Sequence, residues 1–430
     1  MTRIQAMISL ATKKRRLSTG CMAVLAAALL YGSALAQKGG EWPIFHGPNR
    51  LNKSTETGLL KKWPENGPRM IWSASGLGDG YSTVSIADGS IFTSGKFGNQ
   101  TYVLAFDLDG KLLWKSPNGK PWTTERNFRK SHIGSRATPT YDDGMVYHLD
   151  EVIQLAAFDS KTGKQLWAFD LKEKYDAREP QWGYSESVLI IGDRLYCSPG
   201  GKKGFVVCLD KKTGKEIWAN KGLPGSAGHS TLKLIEFEGS RQLINMSSTS
   251  VYGVDFNTGK PLWSVDFVNR YSINIADPIF HNGHVYISTA YGRGSMLIKL
   301  EKSGAGITPK TVWESELMDN HHGGVILHEG YLYGSGDKSR GWFCLDFMTG
   351  KQMWVERGKG SILHVDNMFY CLEEKGTMRL VKATPEKFEE VSSFEVPEGG
   401  ETMHWAHPVI LNGRLYIRHG EKLFVYDVKG

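Results

Sequence analysis

The sequence predicts an all-β fold: an eight-bladed β-propeller of four-stranded antiparallel blades, closed by an N-terminal strand pairing with the C-terminal blade. Three observations carry this. A hairpin motif ending in tryptophan, once in phenylalanine, recurs at intervals of 40 to 53 residues. A second, ten-residue hairpin motif recurs eight times between its copies. The 430 residues also hold 50 glycines, 13 tryptophans, 17 tyrosines and 18 phenylalanines, a balance that favours strands and tight turns over helices. Glycine follows no Gly-X-Y period, which excludes collagen. The 40% hydrophobic and 23% charged residues exclude disorder.

The first motif reads apolar-Asp-x-x-Thr-Gly-Lys-x-apolar-Trp. It runs from Phe158-Asp159 through Thr162-Gly163-Lys164 to Trp167, from Leu209-Asp210 to Trp218, from Val254-Asp255 to Trp263 and from Leu345-Asp346 to Trp354. A shorter copy joins Phe106-Asp107 to Trp114, and a degenerate one ends at Trp313. This is hairpin chemistry. The Asp side chain can bond the turn amides, glycine takes the positive φ, and the next strand opens on a packing aromatic.

The second motif starts at Thr83, Thr138, Ser187, Asp277, Gly324, Ser361 and His407, with a copy lengthened by four residues starting at Thr231. Each copy is a strand, a Gly or Asn turn and a second strand. Two hairpins per repeat make a four-stranded blade. The fourth strands carry Trp72, Trp114, Trp167, Trp218, Trp263, Trp313, Trp354 and Phe394. The chain stops just after a third strand, whereas the strand holding Trp72 precedes the first complete blade. The last blade is therefore expected to combine both ends of the chain, which removes an open sheet edge.

Before the repeats, Lys13-Lys14-Arg15-Arg16, an apolar stretch from Met22 to Tyr31 and Ala34-Leu35-Ala36 form a secretory signal peptide over residues 1–36, cleaved after Ala36. The mature chain, 37–430, is expected to be one propeller domain, periplasmic or secreted, monomeric, and without a transmembrane segment. Five basic residues leave with the leader, lowering the net charge from +7 to +2, and a basic nucleic-acid-binding protein is thereby excluded. Cys197, Cys208, Cys344 and Cys371 remain, with no Cys-x-x-Cys spacing. An exported chain permits a Cys197–Cys208 bridge across one hairpin, while the repeat position of Cys208 and Cys344 suits a small buried apolar residue.

The repeats resemble those of pyrroloquinoline-quinone (PQQ)-type β-propellers over essentially the whole mature chain. The opening Trp42-Pro43-x-Phe45-x-Gly47-Pro48-x-Arg50, followed by Trp63-Pro64, Gly67-Pro68 and Trp72, looks like the usual start of exported bacterial members. The family includes quinoprotein dehydrogenases and also the propeller lipoprotein of the outer-membrane barrel-assembly machinery, a scaffold that uses no quinone. The resemblance therefore implies the fold and leaves the chemistry open.

In such a fold the second motif lines the central channel, and its first residues form a ring at one mouth. Most ring residues are small or hydroxylated; Asp277 and His407 stand out and are the candidate catalytic residues. Two positions earlier come Tyr81, Arg136, Ser185, His229, Ile275, His322, Lys359 and Trp405; three earlier come Tyr184, Asn274, His321 and His404; Glu186 sits one before the ring. With Trp182, which like Trp405 lies outside the repeat position, these are the candidate ligand-binding residues. Tryptophan can stack on a sugar or quinone face, Arg136 can pair with an anion and histidine can move protons. Adjacent His321 and His322 would point opposite ways on a strand, which argues against one shared metal.

By analogy with the dehydrogenases, Glu186, Asn274 and Asp277 could supply carboxylate, amide and base to PQQ and Ca²⁺. Against this, the chain lacks the family's adjacent Cys-Cys pair, its long inserts and a Cys-x-x-Cys-His haem module. PQQ with calcium is thus a possible cofactor but not the favoured one. The insertions 123–132 and 172–179 either overhang the mouth or are solvated loops. Three functions stay open. The leading one is a non-catalytic exported propeller that binds a partner protein or a small polar or glycan ligand at its mouth. The others are a PQQ/Ca²⁺-dependent alcohol or sugar dehydrogenase and a cofactor-free polysaccharide lyase or hydrolase using Tyr184, His229 and Arg136.

Overall fold

A computed structural model describes residues 40–124, 132–304 and 306–430. The signal peptide expected over residues 1–36 lies outside the described residues. Among those described, no helix is long and apolar enough to cross a membrane.

Eight four-stranded antiparallel sheets form, as expected. Blades 1 to 7 span 85–117, 140–170, 189–219, 233–266, 279–315, 325–357 and 360–395. Blade 8 takes three strands from 409–427 and its outer strand, Met70–Ala74, from the N-terminal side. Trp72 pairs with Val425, Ser73 with Phe424 and Ala74 with Leu423.

The tryptophan motif works between blades as well as within them. In each turn one aspartate oxygen gathers the amides: Asp159 Oδ1 accepts from Thr162 N at 2.8 Å and Thr162 Oγ1 at 2.7 Å, and Asp210, Asp255 and Asp346 repeat this. A bulge follows, and on five blades it sets the tryptophan opposite a small residue: Trp114 faces Ala105, Trp167 Ala157, Trp218 Cys208, Trp263 Gly253 and Trp354 Cys344, whereas Trp313 faces Leu297. This is why the repeat carries cysteine there. All four described cysteines are free and buried. Cys208 pairs with Tyr196 and Cys197 with Val207, so the two cysteines sit at adjacent register positions facing opposite sides of the sheet, and no bridge forms. The turn glycine then lies against the tryptophan of the preceding blade, Gly163 on Trp114, Gly259 on Trp218 and Gly350 on Trp313. Several indole N–H groups donate to the same turn, Trp114 to Ser160 O at 2.9 Å and Trp313 to Phe347 O at 3.1 Å.

The insertion around 172–179 folds as the short helix Leu171–Tyr175, capped by Asp170, with Leu171 and Tyr175 buried. It packs on blades 2 and 3 rather than reaching the channel. Of the other insertion, 125–131 lie outside the described residues.

The central channel is not open. Residues 42–54 enter it from the face bearing the first-to-second strand turns and plug it. Trp42 and Ile86 of blade 1 exchange backbone hydrogen bonds of 2.7 and 2.8 Å, and Tyr141 of blade 2 donates to Pro43 O at 2.8 Å. Arg50, 3% exposed, donates to Ser187 O and Val188 O at blade 3 and to Leu232 O at blade 4. Asn52 donates to Ile362 O and Ser54 N to His364 O at 2.9 Å, both on blade 7. His46, Arg50 and Asn52 take φ of 66°, 52° and 52°, conformations that non-glycine residues hold only when their surroundings fix them.

Candidate functional site

The plug turns the channel mouth into a blind cavity of about 250 Å³. It opens on the face formed by the fourth-to-first strand crossings. Phe45, His46, Asp277 and His407 make its floor, and the crossing loops make its wall.

Alternation along those loops decides which residues face the cavity. Of the residues two before the ring, Tyr81, Arg136, Ser185, His229, Ile275, His322 and Trp405 all line it. Their neighbours three before the ring point away, with His321 the exception. Tyr184 Oη lies between Glu186 and Ser198 O. Asn274 donates to Ser247 O at 2.7 Å and Phe267 O at 3.0 Å. His404 stacks on His419 at 3.6 Å. Glu186 also points away, accepting from Ser198 N at 2.7 Å and Leu232 N at 3.3 Å; burial raises its carboxyl to about 7. Lys359 is likewise off the cavity, pairing with Asp337 at 2.7 Å and Glu374 at 3.1 Å. It acts there at one remove, because Glu374 accepts the Trp405 indole N–H at 3.0 Å.

What the wall presents is aromatic. Trp405 lies 5.2 Å from Tyr81, 4.6 Å from His322 and 5.2 Å from His132, and Trp182 lies 5.8 Å from His132. Arg136 donates to Trp182 O at 2.8 Å and to His132 O. It has no carboxylate within ion-pair distance among the described residues, and burial lowers its pKa. Burial also pushes the imidazoles down, His229 to about 3 with Arg136 and His321 adding to it, His321 to about 4 and His407 to about 3. At neutral pH these rings are uncharged: stacking surfaces with one donor and one acceptor each. His321 and His322 sit on a loop rather than a strand, and both line the cavity. Even so, no group of three or more His, Cys, Asp or Glu converges as a metal site among the described residues.

The two candidate catalytic residues are bound into the floor. Asp277 accepts from Thr231 N and Thr231 Oγ1, each at 2.8 Å, and faces His46 Nδ1 at 3.4 Å. Burial would raise its carboxyl, but His46 and the Lys233 charge hold it well below the usual range. His407 sits 3.0 Å from His46 Nε2 and donates through Nε2 to His322 O at 2.8 Å. The trio named for calcium and quinone does not fit. Glu186 and Asn274 face away from the cavity, and the Glu186 carboxylate already accepts from four groups.

Sequence reasoning found Asp277 and His407 but missed the other half of the floor. Phe45 and His46 belong to an opening segment without repeat periodicity, and only its exclusion from every blade could have pointed to the channel. His132 and Tyr291 reach the wall from a crossing loop and a second-to-third strand turn, outside the ring register.

A sequence profile described as that of outer membrane protein assembly factor BamB matches residues 99–356. Quinoprotein ethanol dehydrogenase of Pseudomonas aeruginosa is 30% identical over 147 residues, 31% of this chain and 23% of its own length, so the match spans about a quarter of that relative. BamB from Moraxella catarrhalis superposes with a TM-score of 0.58 at 14% identity, covering 84% of this chain and 99% of that one. Quinohemoprotein alcohol dehydrogenase from Comamonas testosteroni gives 0.61 at 13% identity, covering 94% and 84%. At these identities the superpositions speak for the fold alone. The profile takes in more than half of the sequence, and the chain belongs to the propeller family it describes, that of outer membrane protein assembly factor BamB.

Proposed function

We propose that this chain is an exported, monomeric propeller that binds a small polar ligand, an acidic glycan unit, in its mouth cavity without transforming it. The observation that carries this reading is the wall itself: Trp405, flanked by Tyr81 and His322, offers a stacking face beside the buried cation of Arg136. A sugar ring stacks on such a face and an acid group pairs with such a cation. The non-catalytic part rests on the floor. The Asp277 carboxylate is held by Thr231 and His46 rather than open to a substrate proton. Export to the periplasm or beyond rests on the leader and its Ala36 site.

A second reading, a docking scaffold for a partner protein, is favoured by a different observation. The residue before the outer-strand tryptophan is apolar and exposed on five blades, at Leu113 (48%), Leu166 (45%), Ile217 (46%), Val312 (43%) and Met353 (37%).

The test titrates residues 37–430 with digalacturonate, with cellobiose as the neutral control and with PQQ plus Ca²⁺ in parallel, following tryptophan fluorescence and melting temperature. Digalacturonate should give saturable stabilisation that Trp405→Ala abolishes without altering the far-UV spectrum. Saturation by PQQ plus Ca²⁺ in its place would overturn the glycan reading, and no response to any of them would sink the mouth site.

A further inference from the structure

The plug does not fill the whole channel. It bonds to the inner strands or ring residues of blades 1, 2, 3, 4, 7 and 8, and meets blade 5 only through Asp277 at the mouth end. Along blades 5 and 6 a second cavity of about 350 Å³ remains, on the face opposite the mouth. It lies between the plug and the inner strands Ile279–His281 and Val325–His328. Its far wall is apolar, with Ile279, Phe280, Val325 and Leu327; its near wall carries Arg50, Lys53 and Lys233.

Three cations, Arg50, Lys53 and Lys233, line this cavity with two carboxylates, Asp277 and Glu329. Lys233, its side chain 11% exposed, has among the described residues one carboxylate within ion-pair distance, Asp277 at 3.9 Å, too far for a hydrogen bond. Asp277 is already occupied by Thr231 and His46. Arg50 gives its terminal nitrogens to backbone carbonyls, which carry no charge, and its buried Nε has no partner. Lys233 and Arg50 both face Asp277, and Arg50 also feels the buried Glu186 carboxylate, which Tyr184, Ser198 and Leu232 already hold; burial and Arg50 both lower the Lys233 pKa. Lys53, half-buried, is the third cation, with Glu329 as its nearest counter-charge. A buried charge without a full partner is costly, and an anion entering beside it recovers that cost.

The geometry points to a binding site here for a small organic carboxylate, its acid group held by Lys233, Lys53 and Arg50 and its apolar body against Phe280 and Val325. A sugar would leave its hydroxyls against this apolar wall, which sets the site apart from the mouth; it does not depend on the glycan reading.

The experiment titrates the mature protein with benzoate and, separately, with benzamide, which has the same shape and no charge, by calorimetry and melting temperature. Benzoate should bind saturably and benzamide should not. Lys233→Met and Lys53→Met should each weaken benzoate about tenfold or more, the scale of one charge-assisted hydrogen bond, while Trp405→Ala should bind it like the parent. Lys53 is partly exposed, so Lys53→Met decides the matter even where Lys233→Met fails to fold. Equal binding of benzoate and benzamide, unchanged benzoate affinity in Lys53→Met, or its loss in Trp405→Ala would each overturn the site.

Discussion

Gly239 and Gly259 sit in the two turns of blade 4 that share one face, with φ of 76° and 71°. A methyl group at Gly239 would meet nothing within 4 Å, whereas at Gly259 it would stand 2.5 Å from the Trp218 ring of the neighbouring blade. Both alanine substitutions carry the left-handed backbone penalty, about 1 kcal/mol. Only Gly259→Ala also forces the indole to move, adding ~1–3 kcal/mol of overpacking. The expected losses are therefore ~1 kcal/mol for Gly239→Ala and ~2–4 kcal/mol for Gly259→Ala. Equilibrium unfolding in urea reads both as midpoint shifts at constant slope. In a Trp218→Ala background the excess should vanish, leaving Gly259→Ala near ~1 kcal/mol. An excess that survives removal of the ring, or two equal losses in the parent, would refute the inter-blade contact as the reason this turn uses glycine.

Trp263, 5% exposed and donating to Gln242 Oε1 at 2.8 Å, should lose ~3–5 kcal/mol on Trp263→Ala, against ~2–3 kcal/mol for Trp218→Ala, where the ring is half-buried and its N–H unpartnered, by the same urea midpoints. Arg50→Met should lower stability by ~2–4 kcal/mol, since it abandons carbonyls on two blades while shedding the burial cost of the cation, and should open 40–60 to limited proteolysis; continued protection there would count against the plug. His148, His229 and His407 are held down to about 3 by burial, so between about pH 6.5 and that value the unfolded chain takes up protons the folded one refuses, and stability present above 6.5 is lost as pH falls. His148→Gln should flatten a plot of unfolding free energy against pH by about 1.4 kcal/mol per unit in that window; an unchanged slope would mean that this imidazole is charged in the fold.

The blades were legible because each repeat cannot bury its own apolar face. Its outer-strand aromatic recurs wherever a neighbour stacks, with the turn aspartate and a small residue opposite on five blades, and the recurrence is visible in one sequence. The ring register also placed Tyr81, Arg136, His229, His322 and Trp405 correctly in sequence position relative to the channel. It could not tell Ser185 from Tyr184, or Trp405 from His404, because a single step along a loop reverses the side chain and only the completed ring fixes the phase. The plug was illegible for another reason. Arg50 and Asn52 bond to main-chain carbonyls, and a carbonyl leaves no trace in the residue type that bears it.

Met70–Ala74 and the plug residues Asn52 and Ser54 are synthesised early, yet their partners lie on blades 7 and 8. These early segments cannot complete their bonds until the latest part of the chain arrives. Throughout that interval the last blade lacks its outer strand and the channel its filling, so sheet edges stand exposed to any other chain with a free strand. Such long-range pairing makes for slow folding. The ring that ends without an edge must pass through a stage with two, and its yield depends on how long that stage lasts and on what guards it.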